Sequence, residues 1–186
     1  MLLYVNGNEL SAGACCINDF VQADDDYRYV AQANKAHPEN VMHSYGYYLS
    51  RLLNLGFRCE ATAKKSNNEI FAETIDFVNN TLPKLKSAYT VICVGLMPGV
   101  DLVQLNQLAE LLKSKSIDGI FFNTKKPLPK TSIITFSNAI DLYNETECFV
   151  SWCQQNNYHL KNNQYPDVQA HNAWAKHLFS HFVNQQ

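Results

Sequence analysis

The sequence predicts an α/β chain: a three-layer, doubly wound, mostly parallel sheet of about five strands, with helices packed on both faces. Two observations carry that reading. Short apolar runs alternate with longer stretches whose apolar residues recur at offsets of three and four, the order expected of strand–helix units joined by right-handed crossovers. One run, Tyr89 to Leu96, is apolar almost throughout, as a central parallel strand covered on both sides must be. A chain of 186 residues that is 46% hydrophobic and 17% charged can bury a core without disulfides or metal, so residues 1–186 are read as one domain.

The elements follow in order. Residues 2–6 form a short buried strand ended by Gly7. Residues 40–54 carry Val41, Tyr45, Tyr48, Leu49, Leu52 and Leu53 on one helical face, with Gly56 as the stop signal. Residues 57–63 read as a strand. A helix over 68–85 aligns Ile70, Phe71, Thr74, Phe77, Val78 and Leu82, and Pro83 falls in or kinks its last turn. Residues 101–115 are amphipathic, with Asp101 at the start and Lys113 and Lys115 at the end, the signs that suit the helix dipole. Residues 117–123 are a strand, and the lysines and prolines of 125–130 a loop. Residues 133–136 are a short strand or extended piece. Helices over 144–155 and 167–184 close the chain, the last with His171, Trp174, Ala175, Leu178 and Phe182 on one stripe. Ligands bind such sheets beyond the carboxyl ends of the strands, which gathers residues 7–14, 63–68 and 95–99 with the loop before the last helix.

Several functions are disfavoured by composition. The formal net charge is −2 and the isoelectric point about 6.3, whereas a chain built to grip phosphate backbones carries a basic excess, so no nucleic-acid partner is expected. No apolar run approaches the roughly 18 residues that span a bilayer, and the apolar start has neither the length nor the basic flank of a signal peptide. A cytoplasmic location and no membrane partner are therefore expected. Cys15, Cys16, Cys59, Cys93, Cys148 and Cys153 form no C-x-x-C pair and read as buried free thiols. The glycosylation-like sequences at Asn79 and Asn144 are chance matches in such a chain.

The strand followed by Gly7-Asn8-Glu9-Leu10-Ser11-Ala12-Gly13 resembles the first block of the SGNH (GDSL-type) hydrolases, Gly-Asp-Ser after the first strand. Tyr165-Pro166-Asp167, ahead of the last helix, resembles the family's closing Asp-x-x-His-Pro block. Ala63-Lys64-Lys65-Ser66-Asn67 and Gly95-Leu96-Met97-Pro98 stand where its two oxyanion blocks follow the second and third strands. Ala36-His37-Pro38-Glu39-Asn40 is similar to a motif of the compact, phage-type branch. The resemblance covers nearly the whole chain and implies a flavodoxin-like, SGNH-like fold in a bacterium or phage-infected host.

On that register the family's working residues are replaced. Its nucleophilic serine becomes Glu9, its oxyanion glycine Lys65, its oxyanion asparagine Met97, its aspartate Asn162 and its histidine Tyr165. Acyl transfer needs a hydroxyl beside an oriented base and donors aimed at the oxyanion. Glu9 cannot serve as that hydroxyl, Tyr165 is a poor base, and Met97 donates nothing. Ser11 and Ser66 are displaced hydroxyls without a histidine partner in sequence.

Other clusters have plain explanations. Asp24-Asp25-Asp26, near His37 and Glu39, lacks the spacing of a calcium loop and reads as a solvated loop. His177 and His181 have the i, i+4 spacing zinc uses, but with His159 and His171 they offer no third ligand, so no metal is expected. Lys64-Lys65 and Lys125-Lys126 read as solvated charge. No cofactor is implied. The leading reading is a pseudoenzyme whose former cleft, lined by Asn8, Glu9, Lys65, Asn67, Met97 and Tyr165, takes a small polar or zwitterionic ligand or a protein partner. One alternative is a rewired hydrolase of esters or glycan substituents using Glu9 as general base. Another is a phage structural or assembly protein. The sequence does not fix an oligomeric state.

Overall fold

The computed structural model describes residues 1–17, 38–125, 139–141 and 148–184. Five parallel strands, β1 (Leu2–Gly7), β2 (Gly56–Cys59), β3 (Thr90–Leu96), β4 (Asp118–Asn123) and β5 (Ala139–Asp141), lie in the order β2-β1-β3-β4-β5. The chain steps from β1 to one side for β2 and to the other for β3. Their carboxyl ends therefore part at a topological switch point, where an open α/β sheet forms its crevice. Gly7 and Gly95 are register partners there, and Gly95 pairs in turn with Phe122.

Strand alternation divides the interior into two cores. Leu3, Val5, Val91, Cys93, Ile120 and Phe122 point to one face. That face is covered by α2 (Tyr45–Leu52), α6 (Phe149–Gln155) and α7 (Val168–Asn184), which bring Tyr45, Leu49, Phe149 and Trp174. Tyr4, Ile92, Val94, Leu96 and Phe121 point the other way, against α3 (Asn67–Asp76) and α5 (Leu102–Ser114). Complete burial of a side chain such as Leu3 or Phe122 is worth about 1.5–3 kcal/mol, so the twice-covered β1, β3 and β4 anchor the fold. The three-layer doubly wound reading stands.

Local chemistry moves several boundaries. The helix expected over 40–54 is two helices, α1 (Pro38–Val41) and α2, because Ser44 interrupts it. The Ser44 hydroxyl donates to Val41 O at 2.8 Å and accepts from Tyr47 N at 3.4 Å, the competition with the helix ladder that makes serine a cap. Leu52, expected on the apolar face, is exposed. The helix over 68–85 runs as α3, a π turn (Phe77–Thr81) and α4 (Leu82–Leu85). Pro83 lacks an N–H and its ring would meet the carbonyl four residues back; the widened turn, in which Leu82 N–H reaches Phe77 O, accommodates it. The widened turn also carries Phe77, whose ring stacks on Tyr4 with centroids 3.9 Å apart.

Strand β2 is shorter than expected, although the extended pairing continues as Glu60 and Thr62 donate to Val5 O and Gly7 O. The stretch 133–136, the start of the helix expected from 144, Asp24–Asp26, His37 and Lys126 lie outside the described residues. Strand β5 at 139–141 is an edge the periodicity did not reveal. A two-stranded antiparallel hairpin, β6 (Leu160–Lys161) with β7 (Tyr165–Pro166), was also unforeseen. All six cysteines are free thiols and all but Cys59 are buried; burial, with Asp167 nearby, pushes the Cys16 thiol up to about 12. Among the described residues no helix is long and apolar enough to cross a membrane.

The switch point is packed to its limit. A Cβ on Gly95 would stand 2.3 Å from Ser11 Oγ, 2.9 Å from the Tyr45 hydroxyl and 3.0 Å from Thr124 Cγ2. Gly95→Ala should therefore cost about 1–3 kcal/mol in urea denaturation. Ser11→Ala, which deletes the nearest atom, should restore part of that loss; additive effects of the two changes would refute the packing account.

Candidate functional site

Asn8, 1% exposed, follows β1 and organises the crevice. Its Oδ1 accepts from Leu10 N at 3.0 Å and Ser11 N at 3.4 Å, the pattern by which an Asx side chain builds its own turn. Its Nδ2 donates to Thr124 Oγ1 at 2.7 Å and also lies against Met97 Sδ. The Thr124 hydroxyl in turn donates to Leu96 O at 3.0 Å. One side chain thus joins the ends of β1, β3 and β4.

That turn holds Glu9 in the crevice, where its Oε1 meets Lys125 Nζ at 2.5 Å. The pair is partly withdrawn from water: the Glu9 side chain is 12% exposed and that of Lys125 31%. Tyr165 arrives from the hairpin, whose turn places Asn162 and Asn163 at φ of 51° and 56°, a left-handed conformation asparagine tolerates. Its phenol is raised above the usual tyrosine value by burial and then by the Glu9 carboxylate, with Lys125 pulling the other way. Asp167 next accepts from Ala170 N and so starts α7.

Across the crevice, Asn67 grips the backbone of Met97 with both ends of its amide, accepting from Met97 N at 2.9 Å and donating to Met97 O at 3.0 Å. Lys65 stands apart from this group. Its side chain is only 7% exposed, and its ammonium donates to Asn6 Oδ1, Glu60 O and Glu73 Oε2 on the α3 side of the sheet.

The structure therefore gathers Asn8, Glu9, Asn67, Met97 and Tyr165, while Asn162 sits in the neighbouring turn. Sequence reading missed Thr124 and the partnership of Lys125. The available signal was their position just past the carboxyl end of β4; Lys125 had been absorbed into a lysine- and proline-rich loop. Ser11 is buried, its hydroxyl facing Tyr45 between Gly7 and Gly95. Ser66 caps α3 in a box with Glu69. Among the described residues neither hydroxyl is hydrogen-bonded to a histidine.

His171 serves the core. It is fully buried, stacks on Tyr45 and accepts the Tyr45 N–H at Nδ1 across 3.0 Å, satisfying a donor at the start of α2. His177 packs between the rings of Trp152 and Trp174, and burial followed by His181 holds its pKa down to about 4. Among the described residues no three His, Cys, Asp or Glu side chains come together as a metal site.

No family model matches the chain, and no curated protein does. Solved structures do. A protein assigned to the G-D-S-L lipolytic family from Desulfitobacterium hafniense DCB-2 superposes with a TM-score of 0.51 at 12% identity, covering 100% of this chain and 99% of that one. A carbohydrate esterase family 2 enzyme with its carbohydrate-binding domain, from Corynascus thermopiles (Myceliophthora fergusii), gives 0.53 at 11% identity, covering 98% of this chain and 66% of that one. At such identities the likeness concerns the fold, and the fold is SGNH-like.

Burial without a compensating charge holds the His171 pKa down to about 3, from an ordinary 6.5. The unfolded chain therefore binds more protons than the folded one between those values. The stability that neutral His171 supports is complete above pH 6.5 and is lost as the pH falls towards 3, by at most about 1.4 kcal/mol per pH unit. Urea denaturation between pH 7 and 5 should show this slope, and His171→Gln, which keeps an acceptor for Tyr45 N–H, should reduce it, leaving the part that His177, also held low by burial, contributes. An unchanged slope in that variant would assign the pH dependence to other groups.

Proposed function

We propose that this chain is a degenerate SGNH-like protein of the compact phage-type branch, without serine-esterase chemistry, whose cleft binds a small polar ligand. The observation that carries the reading is the Glu9–Lys125 pair, at the turn after β1 where the family's nucleophile stands. A carboxylate held by an ammonium has no hydroxyl to acylate, and the residue in the base position, Tyr165, has its phenol shifted towards retention of its proton.

The surroundings support the same conclusion. Hydrolysis needs donors aimed at a developing oxyanion, worth about 10²–10³ in rate for a single donor. Here the Asn8 amide serves Thr124, the Asn67 amide serves Met97 O, and the Lys65 ammonium serves Asn6, Glu60 and Glu73. Loss of a triad member alone costs about 10⁴ or more. Glu9 acting as general base on water would first have to leave the Lys125 ammonium that holds it. The five buried free thiols suit a reducing cytoplasm, that of a bacterium or infected host.

Purified protein should hydrolyse short-chain aryl esters no faster than buffer, as should its Glu9→Gln and Ser11→Ala variants, each checked for folding by circular dichroism. Turnover well above background that either substitution abolishes would overturn the reading and identify the residue responsible.

A further inference from the structure

We infer that the cleft takes a zwitterion, of which a free α-amino acid is the simplest class, an inference that rests on reading the cleft as a non-hydrolytic binding site. The amides of Asn8 and Asn67 and the ammonium of Lys65 are held by partners within the fold. The groups left to meet a polar ligand are the Glu9 carboxylate, the Lys125 ammonium and the Tyr165 phenol.

Glu9 and Lys125 are bonded to each other, so a ligand that uses either must replace the other. Charge then selects the ligand. A simple anion would take Lys125 and leave the Glu9 carboxylate, 12% exposed, without its counter-charge; a simple cation would leave the ammonium in the same position. Removing one partner of a partly withdrawn ion pair is unfavourable, because the charge left behind is only partly solvated and has no counter-charge. A neutral ligand supplies neither charge and leaves the pair closed. A molecule bearing an ammonium and a carboxylate a few ångströms apart exchanges one internal ion pair for two to the ligand, and leaves nothing unpaired. The half-buried Tyr165 offers its phenol ring to the remaining substituent.

The test is thermal unfolding of the full-length protein with each of the standard L-amino acids, followed by isothermal titration of those that raise the midpoint. The same titrations are made with the N-acetyl and carboxamide counterparts, which each remove one charge. At least one amino acid should raise the midpoint, and both of its single-charge counterparts should bind at least about tenfold more weakly. Glu9→Gln and Lys125→Met should each weaken binding by a similar factor. The double exchange Glu9→Lys with Lys125→Glu, which keeps both charges, should bind better than either single variant. A panel with no stabilising amino acid, or one in which the acetylated or amidated forms bind equally well, would overturn the inference. Binding of a single-charge ligand that Glu9→Gln abolishes would remove the zwitterion while leaving a binding cleft in place. Turnover of aryl esters would instead remove the underlying reading.

Discussion

The hydrogen bonds of the Asn8 side chain are the constraint on which the rest of the crevice depends. Its oxygen accepts two backbone N–H groups of the turn after β1, and its nitrogen reaches Thr124 beyond β4. Because Thr124 is itself bonded to Leu96 O at the end of β3, three strand ends are tied together. The turn fixes Glu9 and, by the same chain connectivity, inserts Ser11 between two glycines. An aspartate at this position could accept the two turn hydrogen bonds, but its carboxylate could not donate to Thr124. The asparagine therefore adds a cross-strand tie as it keeps the turn.

Several polar groups of the cleft are bonded to one another. In an acyl-transfer enzyme the donors around the nucleophile must remain available to the oxyanion, a preorganised and costly arrangement. Here Asn67 closes on the Met97 backbone, Lys65 turns to the opposite face of the sheet, and Glu9 closes on Lys125. Mutual satisfaction of this kind lowers the cost of burying polar atoms. The SGNH-like fold rests on the apolar alternation of β1, β3 and β4 and on helix packing.

Much of the frame was legible from pattern. The uninterrupted apolar run at Thr90–Leu96 became a strand covered on both faces, and the stripe on α5 faced the core as its spacing required. Illegible features were those decided by a single side chain. Ser44 splits a helix whose hydrophobic period runs through it, and the spatial consequence of Pro83 is a widened turn that no period signals. The neighbourhood of the candidate site was partly legible, because Asn8, Glu9, Met97 and Tyr165 follow strands or precede a helix at recognisable spacing. Lys125 and Thr124 were not, since their importance arises from a contact with residues more than a hundred positions away. Lys65 was placed at the cleft by its position in the chain, whereas the direction of its long side chain was set by Asn6 and Glu73.

A double-mutant cycle on stability measures directly whether Glu9 and Lys125 are paired in solution. Urea denaturation of the wild type, Glu9→Gln, Lys125→Met and the double variant should give a coupling free energy of about 1 kcal/mol, the upper end for exposed pairs, because this pair is partly withdrawn from water. Each single variant should be less stable than the wild type, with the double variant recovering part of the loss. Additive effects within about 0.3 kcal/mol would show two independent charges. The nucleophile position would then be open, and the closed cleft described for this protein would be contradicted.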